Sequence, residues 1–161
     1  MNVVLDDPFV ALTLGTAIGC GLVAGVFFAF SSFVMPALAR LPAPQGIAAM
    51  QSINVTAVTP AFMTALFGTA AACLVLTAHR VLSPVPGWGP VVAAGLLYLG
   101  GTVLVTIVCN VPLNDRLAKV DPQSAEGAAF WARYLRVWTA WNHVRTAAAV
   151  AASALLLVRL G

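Results

Sequence analysis

A long stretch without charge dominates the beginning of this chain. No residue from Pro8 to Ala39 is charged, and Asp7 and Arg40 flank the stretch. At a rise of about 1.5 Å per residue, a helix of this length exceeds the roughly 30 Å hydrocarbon core of a bilayer. The first constraint on the fold is therefore a membrane-spanning helix.

The composition extends this conclusion to the whole chain. Of the 161 residues, 61% are hydrophobic and 8% are charged, whereas soluble domains carry about 25% charged residues. Three further apolar runs follow the first one. We predict an all-α integral membrane four-helix bundle that forms one domain over residues 1–161, with spans at about 9–34, 60–78, 91–111 and 137–158.

A short amphipathic segment separates the first two spans. Ile47, Met50, Gln51 and Asn54 fall at helical spacing on one side of this segment. Pro60 then suits the first turn of the second span. We predict a short interfacial helix between the first and second spans.

The basic residues of the connections predict an orientation in the membrane. Five follow the first and third spans, namely Arg40, Arg116, Lys119, Arg133 and Arg136, and the opposite side holds Arg80 and Arg159. This asymmetry favours both termini outside and the two longer connections, including a polar loop at 114–123, in the cytoplasm. The Ala/Leu/Val-rich composition favours a bacterial inner membrane. Because residues 1–9 contain no basic residue, we expect the first span to be retained rather than cleaved.

Several other classes of function find little support. No aromatic residues alternate with a Lys/Arg run, so no nucleic-acid partner is expected. The three cysteines lie in apolar stretches without CxxC spacing and are expected to be buried, small apolar residues. His79 and His143 lie near opposite membrane faces, and no span contains a carboxylate. We therefore expect neither a shared haem nor a di-iron site, and no metal ligands.

The last span has too few uncharged residues to keep Arg145 in water. Residues 146–158 separate it from Arg159, and these provide roughly 20 Å of helix, about 10 Å less than the hydrocarbon core. An arginine inside the membrane costs at least a few kcal/mol unless it finds a partner or reaches water. Arg145 therefore either reaches water, pairs with a carboxylate such as Asp115, or faces a cavity that binds an anion.

Polar side chains line up on the last two spans. One stripe of the fourth span, at i, i+4 and i+7, carries Trp138, Asn142 and Arg145. A stripe of the third span has four polar residues spaced four apart: Thr102, Thr106, Asn110 and Asn114. Both stripes run toward the predicted cytoplasmic side, where the short helix carries Asn54. Because buried amides need partners, the stripes either pair with each other and lock the helices or form a ligand site.

Three motifs of the chain occur together in a known family. They are Asn110-Val-Pro-Leu-Asn114, Trp138-x-x-Trp141-Asn142-x-x-Arg145, and the run from Phe27 to Ser32 ahead of Pro36. In these motifs, and over essentially its whole length, the chain resembles the anthrone oxygenase family of small four-helix membrane proteins. That family includes fungal anthrone oxygenases of polyketide pathways and many bacterial members.

The resemblance implies oxidation of an anthrone-type aromatic to a quinone by dioxygen, without a metal, a flavin or any other cofactor. The catalytic residues expected for such a reaction are His143 as base, Arg145 as the cation that stabilises an oxyanion, and Asn142. The expected substrate-binding residues are Asn54, Asn110, Asn114, Trp138 and Trp141. The expected partners are a small aromatic or hydrophobic substrate and the lipid bilayer.

Two alternatives from other classes of function stay open. The chain could be a non-catalytic membrane protein that binds or transports a small hydrophobic molecule, or a structural partner subunit whose polar motifs only join helices. A cavity beside Arg145 and Asn142 favours an enzyme or a binding protein, whereas mutual pairing of the asparagines favours a structural role. The Gly15/Gly19 and Gly21/Gly25 spacings of the first span would permit a homo-oligomer.

Overall fold

The computed structural model describes residues 7–160, and within that range it contains helices and no strands. The helices are α1 (Pro8–Ala39), α2 (Ala43–Thr56), α3 (Pro60–Leu82), α4 (Gly89–Leu117) and α5 (Ala125–Leu160). All but α2 are long and apolar enough to cross a membrane. The all-α four-helix bundle is thus confirmed, with the short helix in its predicted place. The expectation of a retained first span depends partly on residues 1–6, which lie outside the described range.

The helix ends follow from local sequence signals. Asp7 caps α1 by accepting a hydrogen bond from the Phe9 amide at 2.8 Å, and Pro8 occupies the first turn. Thr59 and Pro60 begin α3 in the same way. Before α5, the Ser124 hydroxyl accepts a hydrogen bond from the Gly127 amide at 2.9 Å.

One predicted loop is partly helical. Residues 114–123 were expected to be irregular, but α4 continues to Leu117. Pro112 does not end α4, because it directly follows the π-helical turn Thr106–Asn110, where the regular hydrogen-bond pattern of the helix is already interrupted. Asn114 therefore has a side-chain direction fixed by a helix.

Two buried clusters of apolar residues form the core. α1 and α5 pack along most of the bundle, and Cys20, Val23 and Tyr98 are among the residues fully buried in the first cluster. In the second cluster, α2 inserts Ile47 and Met50 among residues of α1, α4 and α5. The α2 segment is therefore part of the packed structure.

Gln51 fastens α2 to the end of α4. Its amide donates hydrogen bonds to the carbonyls of Leu117 and Val120, at 2.8 and 3.0 Å. Leu117 is the last residue of α4, and its carbonyl also accepts from the Val120 amide at 3.1 Å in the turn that follows the helix. The bonds fix one end of α2 against the bundle.

The outer surface of the bundle is apolar. Large side chains such as Ile18, Leu22, Phe28 and Val158 are 60% or more exposed. A surface of this kind is stable in lipid, where helices satisfy their own backbone hydrogen bonds. The chain is an integral membrane protein. A Cβ at Gly15 or Gly25 would meet no atom within 4 Å, so the surface of α1 is open at these two glycines. Self-association through α1 stays a prediction.

Several helices contain wide, π-helical turns. They lie at Phe30–Val34 in α1, Thr64–Gly68 in α3, and Leu97–Leu104 and Thr106–Asn110 in α4. Such turns shift the direction of the side chains that follow and are frequent at functional sites.

Neighbouring glycines of α4 provide a test of helix packing. A Cβ at Gly101 would lie 2.5 Å from the Cβ of Ala148 on α5, whereas a Cβ at Gly100 would meet nothing within 4 Å. We expect Gly101→Val to lower the free energy of unfolding by about 1–3 kcal/mol because it forces α4 and α5 apart. Thermal unfolding in detergent should show a smaller effect for Gly100→Val, and equal melting temperatures for the two variants would contradict the packing.

Candidate active site

Arg145 lies inside the protein with only neutral partners. Its side chain is 4% exposed. One terminal nitrogen donates to the Asn142 side-chain oxygen at 2.6 Å, and the other donates to the Thr106 hydroxyl at 3.3 Å. The Nε atom is buried and has no partner among the described residues. Asp115, considered from the sequence as a counter-ion, is exposed and is not one of these partners.

Two aromatic rings enclose the guanidinium group. Its central carbon lies 4.1 Å from the centroid of the Phe27 ring and 5.1 Å from that of Trp138. A desolvated cation–π contact contributes up to about 2 kcal/mol. These contacts offset part of the burial cost, but they leave the positive charge without a counter-charge.

Asn142 connects this arginine to α1. Its side chain is fully buried, and its amide nitrogen donates to the Phe27 carbonyl at 2.6 Å and to the Ser31 hydroxyl. The amide oxygen is left to accept from Arg145. The wide turn of α1 that contains Ser31 is thereby joined to the guanidinium of α5.

The asparagines of α4 bond to α5. Asn114 accepts hydrogen bonds from the Tyr134 hydroxyl and the Trp138 indole, both at 2.8 Å. Asn110 donates to the Trp138 carbonyl at 3.1 Å, and its side-chain oxygen has no partner among residues 7–160. A purely structural role predicted mutual pairing of the asparagines, and within that range no two of them pair with each other.

A cavity of about 390 Å³ lies beside these groups. This volume is within the roughly 300–1,000 Å³ of small-molecule sites. α2, the segment 57–59 and parts of all four long helices form its walls. Its aromatic lining consists of Phe27, Phe30, Phe62, Phe67 and Trp138, and its polar lining consists of Asn54, Thr59, Thr106, Asn114 and Arg145.

Most of the chain matches a known family. The sequence model of the anthrone oxygenase family matches residues 54–155 of this chain, which is more than half of its length. The chain belongs to the anthrone oxygenase family. Comparison with curated proteins and with solved structures gave no match. The matched segment of the chain begins at Asn54 and also contains Asn114, Trp138 and Arg145, and all four of these residues line the cavity.

The structure brings together most of the predicted site residues. Asn54, Asn114, Trp138 and Arg145 line the cavity. Asn110 and Asn142 are buried and do not line it, but they bond to the Trp138 carbonyl and to the Arg145 guanidinium, respectively.

Two predicted site residues lie elsewhere. His143 is exposed on α5, and Trp141 is 39% exposed, and neither lines the cavity. The residues that line it include no histidine, aspartate or glutamate. Within residues 7–160 no three His, Cys, Asp or Glu side chains form a group that could hold a metal ion.

Some wall residues were not singled out from the sequence. Phe62 and Phe67 come from the beginning of α3, and Phe27 contacts the Arg145 guanidinium from α1. Only the run from Phe27 to Ser32 had given a signal, as part of the family pattern. Phe62 and Phe67 belong to an ordinary apolar span, and nothing in their spacing distinguishes them from lipid-facing residues.

Proposed function

We propose that this protein is a membrane-embedded oxygenase that oxidises an anthrone-type aromatic to a quinone with dioxygen, and that the substrate binds in the cavity as its anion. One observation carries the proposal. A buried guanidinium with only neutral hydrogen-bond partners borders a cavity with aromatic walls.

The charge of Arg145 supports an anionic ligand. A buried charge without a counter-charge costs several kcal/mol. The neutral oxygens of Asn142 and Thr106 recover only part of this cost. An oxyanion in the cavity would supply the missing charge and an acceptor for the unpartnered Nε atom.

The walls of the cavity support a flat aromatic ligand. Phe27, Phe30, Phe62 and Trp138 provide rings against which a planar molecule packs. Val58 and Ile107, at 68% and 52% exposure, also line the cavity and face the outside of the bundle. An apolar rim of this kind suits a substrate that partitions into the bilayer.

The chemistry of anthrones fits a site without an acid or base. Loss of a ring-methylene proton gives an anion whose charge is delocalised onto the ring oxygen, so the anion can form before it binds. Addition of dioxygen to the carbanion carbon gives a peroxide anion. Transfer of the remaining hydrogen, as a proton, to the terminal peroxide oxygen and cleavage of the O–O bond then yield the quinone carbonyl and hydroxide. Arg145 stabilises the anionic oxygen, and the proposal assigns no role to the exposed His143.

A binding or transport protein is the second candidate. It is favoured by the absence of a histidine or carboxylate among the cavity-lining residues. Such a protein would bind the same anionic aromatic molecules without converting them.

Oxygen uptake separates the two candidates. Purified protein in lipid vesicles should consume dioxygen with dithranol at least about tenfold faster than protein-free vesicles. A rate equal to autoxidation, together with saturable binding of the anion, would reject the oxygenase and support the binding protein. Absence of both binding and turnover would reject both candidates.

We also propose that both termini lie outside a bacterial inner membrane and that the cavity lies toward the cytoplasm. The basic residues near the cavity end, among them Arg116 and Lys119, support this orientation. In intact cells, a membrane-impermeant thiol reagent should label Ser83→Cys and should not label Lys119→Cys. The reverse labelling pattern would contradict the orientation.

A further inference from the structure

The orientation of the Asn114 side-chain amide is fixed by its neighbours. Its oxygen accepts hydrogen bonds from the Trp138 indole and the Tyr134 hydroxyl, both at 2.8 Å. An indole N–H can only donate, so the side of the amide that faces Trp138 has to be the oxygen. The NH2 group points away from both donors and makes no hydrogen bond to any described residue.

Asn114 and Arg145 lie at different parts of one indole ring. The Arg145 guanidinium lies over the Trp138 ring, 5.1 Å from its centroid. Asn114 contacts the N–H edge of the same ring. Because both residues line the cavity, a ligand bound in the cavity meets a cation at Arg145 and a neutral donor at Asn114.

We infer that the Asn114 amide is a second polar anchor. It binds the oxygen that oxidation adds to the middle ring, at the carbon opposite the one that carries the oxyanion. This inference rests on the proposed function. When the carbanion carbon forms its bond to dioxygen, the negative charge moves from the first oxygen to the new peroxide. The Asn114 NH2 then donates to the peroxide. After the O–O bond breaks and hydroxide leaves, the same NH2 donates to the new carbonyl.

The inference defines a class of ligand. The preferred ligand is a flat three-ring aromatic with acceptor oxygens at both ends of its middle ring. Dithranol has one such oxygen, and 1,8-dihydroxyanthraquinone has both. The two molecules differ only at the ring carbon that would face Asn114.

Binding of these two molecules without oxygen tests the inference. Quenching of tryptophan fluorescence in vesicles should give a dissociation constant about fivefold lower for the quinone than for dithranol, the factor expected of one neutral hydrogen bond. In Asn114→Ala the ratio should fall to about one. Tyr134→Phe is the matched control, because it removes one partner of the amide while Trp138 still fixes its orientation, and it should keep the ratio.

Two outcomes would overturn the inference. One is equal affinity of the unsubstituted protein for the two molecules, a measurement that does not depend on whether any variant folds. The other is a ratio that Asn114→Ala leaves unchanged. The proposed function is tested separately. If the fivefold preference depends on Asn114 but oxygen uptake is no faster than autoxidation, the role of Asn114 in binding is supported and the oxygenase is rejected.

Discussion

Replacing Arg145 by methionine is expected to lower kcat/KM for dithranol oxidation by at least about a hundredfold, the size of effect seen when a group that stabilises a developing oxyanion is removed. Methionine keeps the unbranched apolar stem of the side chain but ends before the guanidinium group, which makes the contacts with Phe27 and Trp138. It removes the positive charge and every donor that faces the cavity. The substrate anion then has to enter an apolar cavity without a counter-charge.

The same replacement should leave the stability of the protein unchanged or raise it. In the ligand-free protein the guanidinium is buried with neutral partners only, and the desolvation cost of an unpaired buried charge, several kcal/mol, is at least as large as the cost of about 1–3 kcal/mol for leaving the Asn142 oxygen without its donor. Activity and stability therefore move in different directions, which separates loss of the site from loss of the fold.

The measurement is oxygen uptake in vesicles, with thermal unfolding of the same preparations. Arg136→Met is the matched control, since Arg136 is exposed on the same helix and undergoes the same chemical change. Activity of Arg145→Met that stays within about threefold of the Arg136→Met protein would contradict the assignment of Arg145, given the hundredfold loss expected.

Helix periodicity in the sequence predicted one half of the site. Trp138, Asn142 and Arg145 form one stripe of α5, and the structure buries all of them at the same side. His143 is only one residue from Asn142, but successive residues of a helix point about 100° apart. Proximity in the sequence to a buried stripe therefore did not place the imidazole in the cavity.

The other half of the site depends on how helices from distant parts of the sequence meet. Asn54 on α2 and Phe62 on α3 line the same cavity as Arg145 on α5. The direction of each residue on its own helix follows from periodicity, but the arrangement of helices in a bundle does not. Lipid and protein interior are both apolar, so hydrophobicity does not distinguish a lipid-facing phenylalanine from one that lines a cavity.

The helical turn at Pro112 shows how one backbone detail changes the site. As part of a loop, Asn114 would have had no defined side-chain direction. In the structure it lies in the last turns of α4, within hydrogen-bonding distance of Tyr134 and Trp138. The two hydrogen bonds to the Asn114 oxygen join α4 to α5, and they also fix which side of the amide carries the unbonded NH2 group.

We expect Asn142→Asp to weaken the affinity for the anionic ligand, although Arg145 itself is unchanged. The Asn142 oxygen already accepts from Arg145 at 2.6 Å, so a carboxylate at this position would pair directly with the guanidinium. Two opposite charges at about 4 Å attract by about 4 kcal/mol at an effective dielectric constant of 20. The ligand anion would have to compete with this internal counter-ion.

The substitution also has a structural cost. The second carboxylate oxygen would take the place of the NH2 group that donates to the Phe27 carbonyl and to Ser31. An oxygen facing the carbonyl replaces a hydrogen bond with repulsion, and we expect a loss of about 1–3 kcal/mol in the free energy of unfolding. Ser31→Ala, which removes one bond of this amide and adds no charge, is the control for this part of the effect.

Affinity for charged and neutral ligands then separates the two consequences of Asn142→Asp. The dissociation constant of ionised 1,8-dihydroxyanthraquinone should rise at least about tenfold in this variant. That of anthracene, which is flat and uncharged, should change little. Ser31→Ala should leave both constants near their original values. If Asn142→Asp kept the affinity for the anion, or weakened both ligands equally, the guanidinium would not be the group that recognises the ligand's charge.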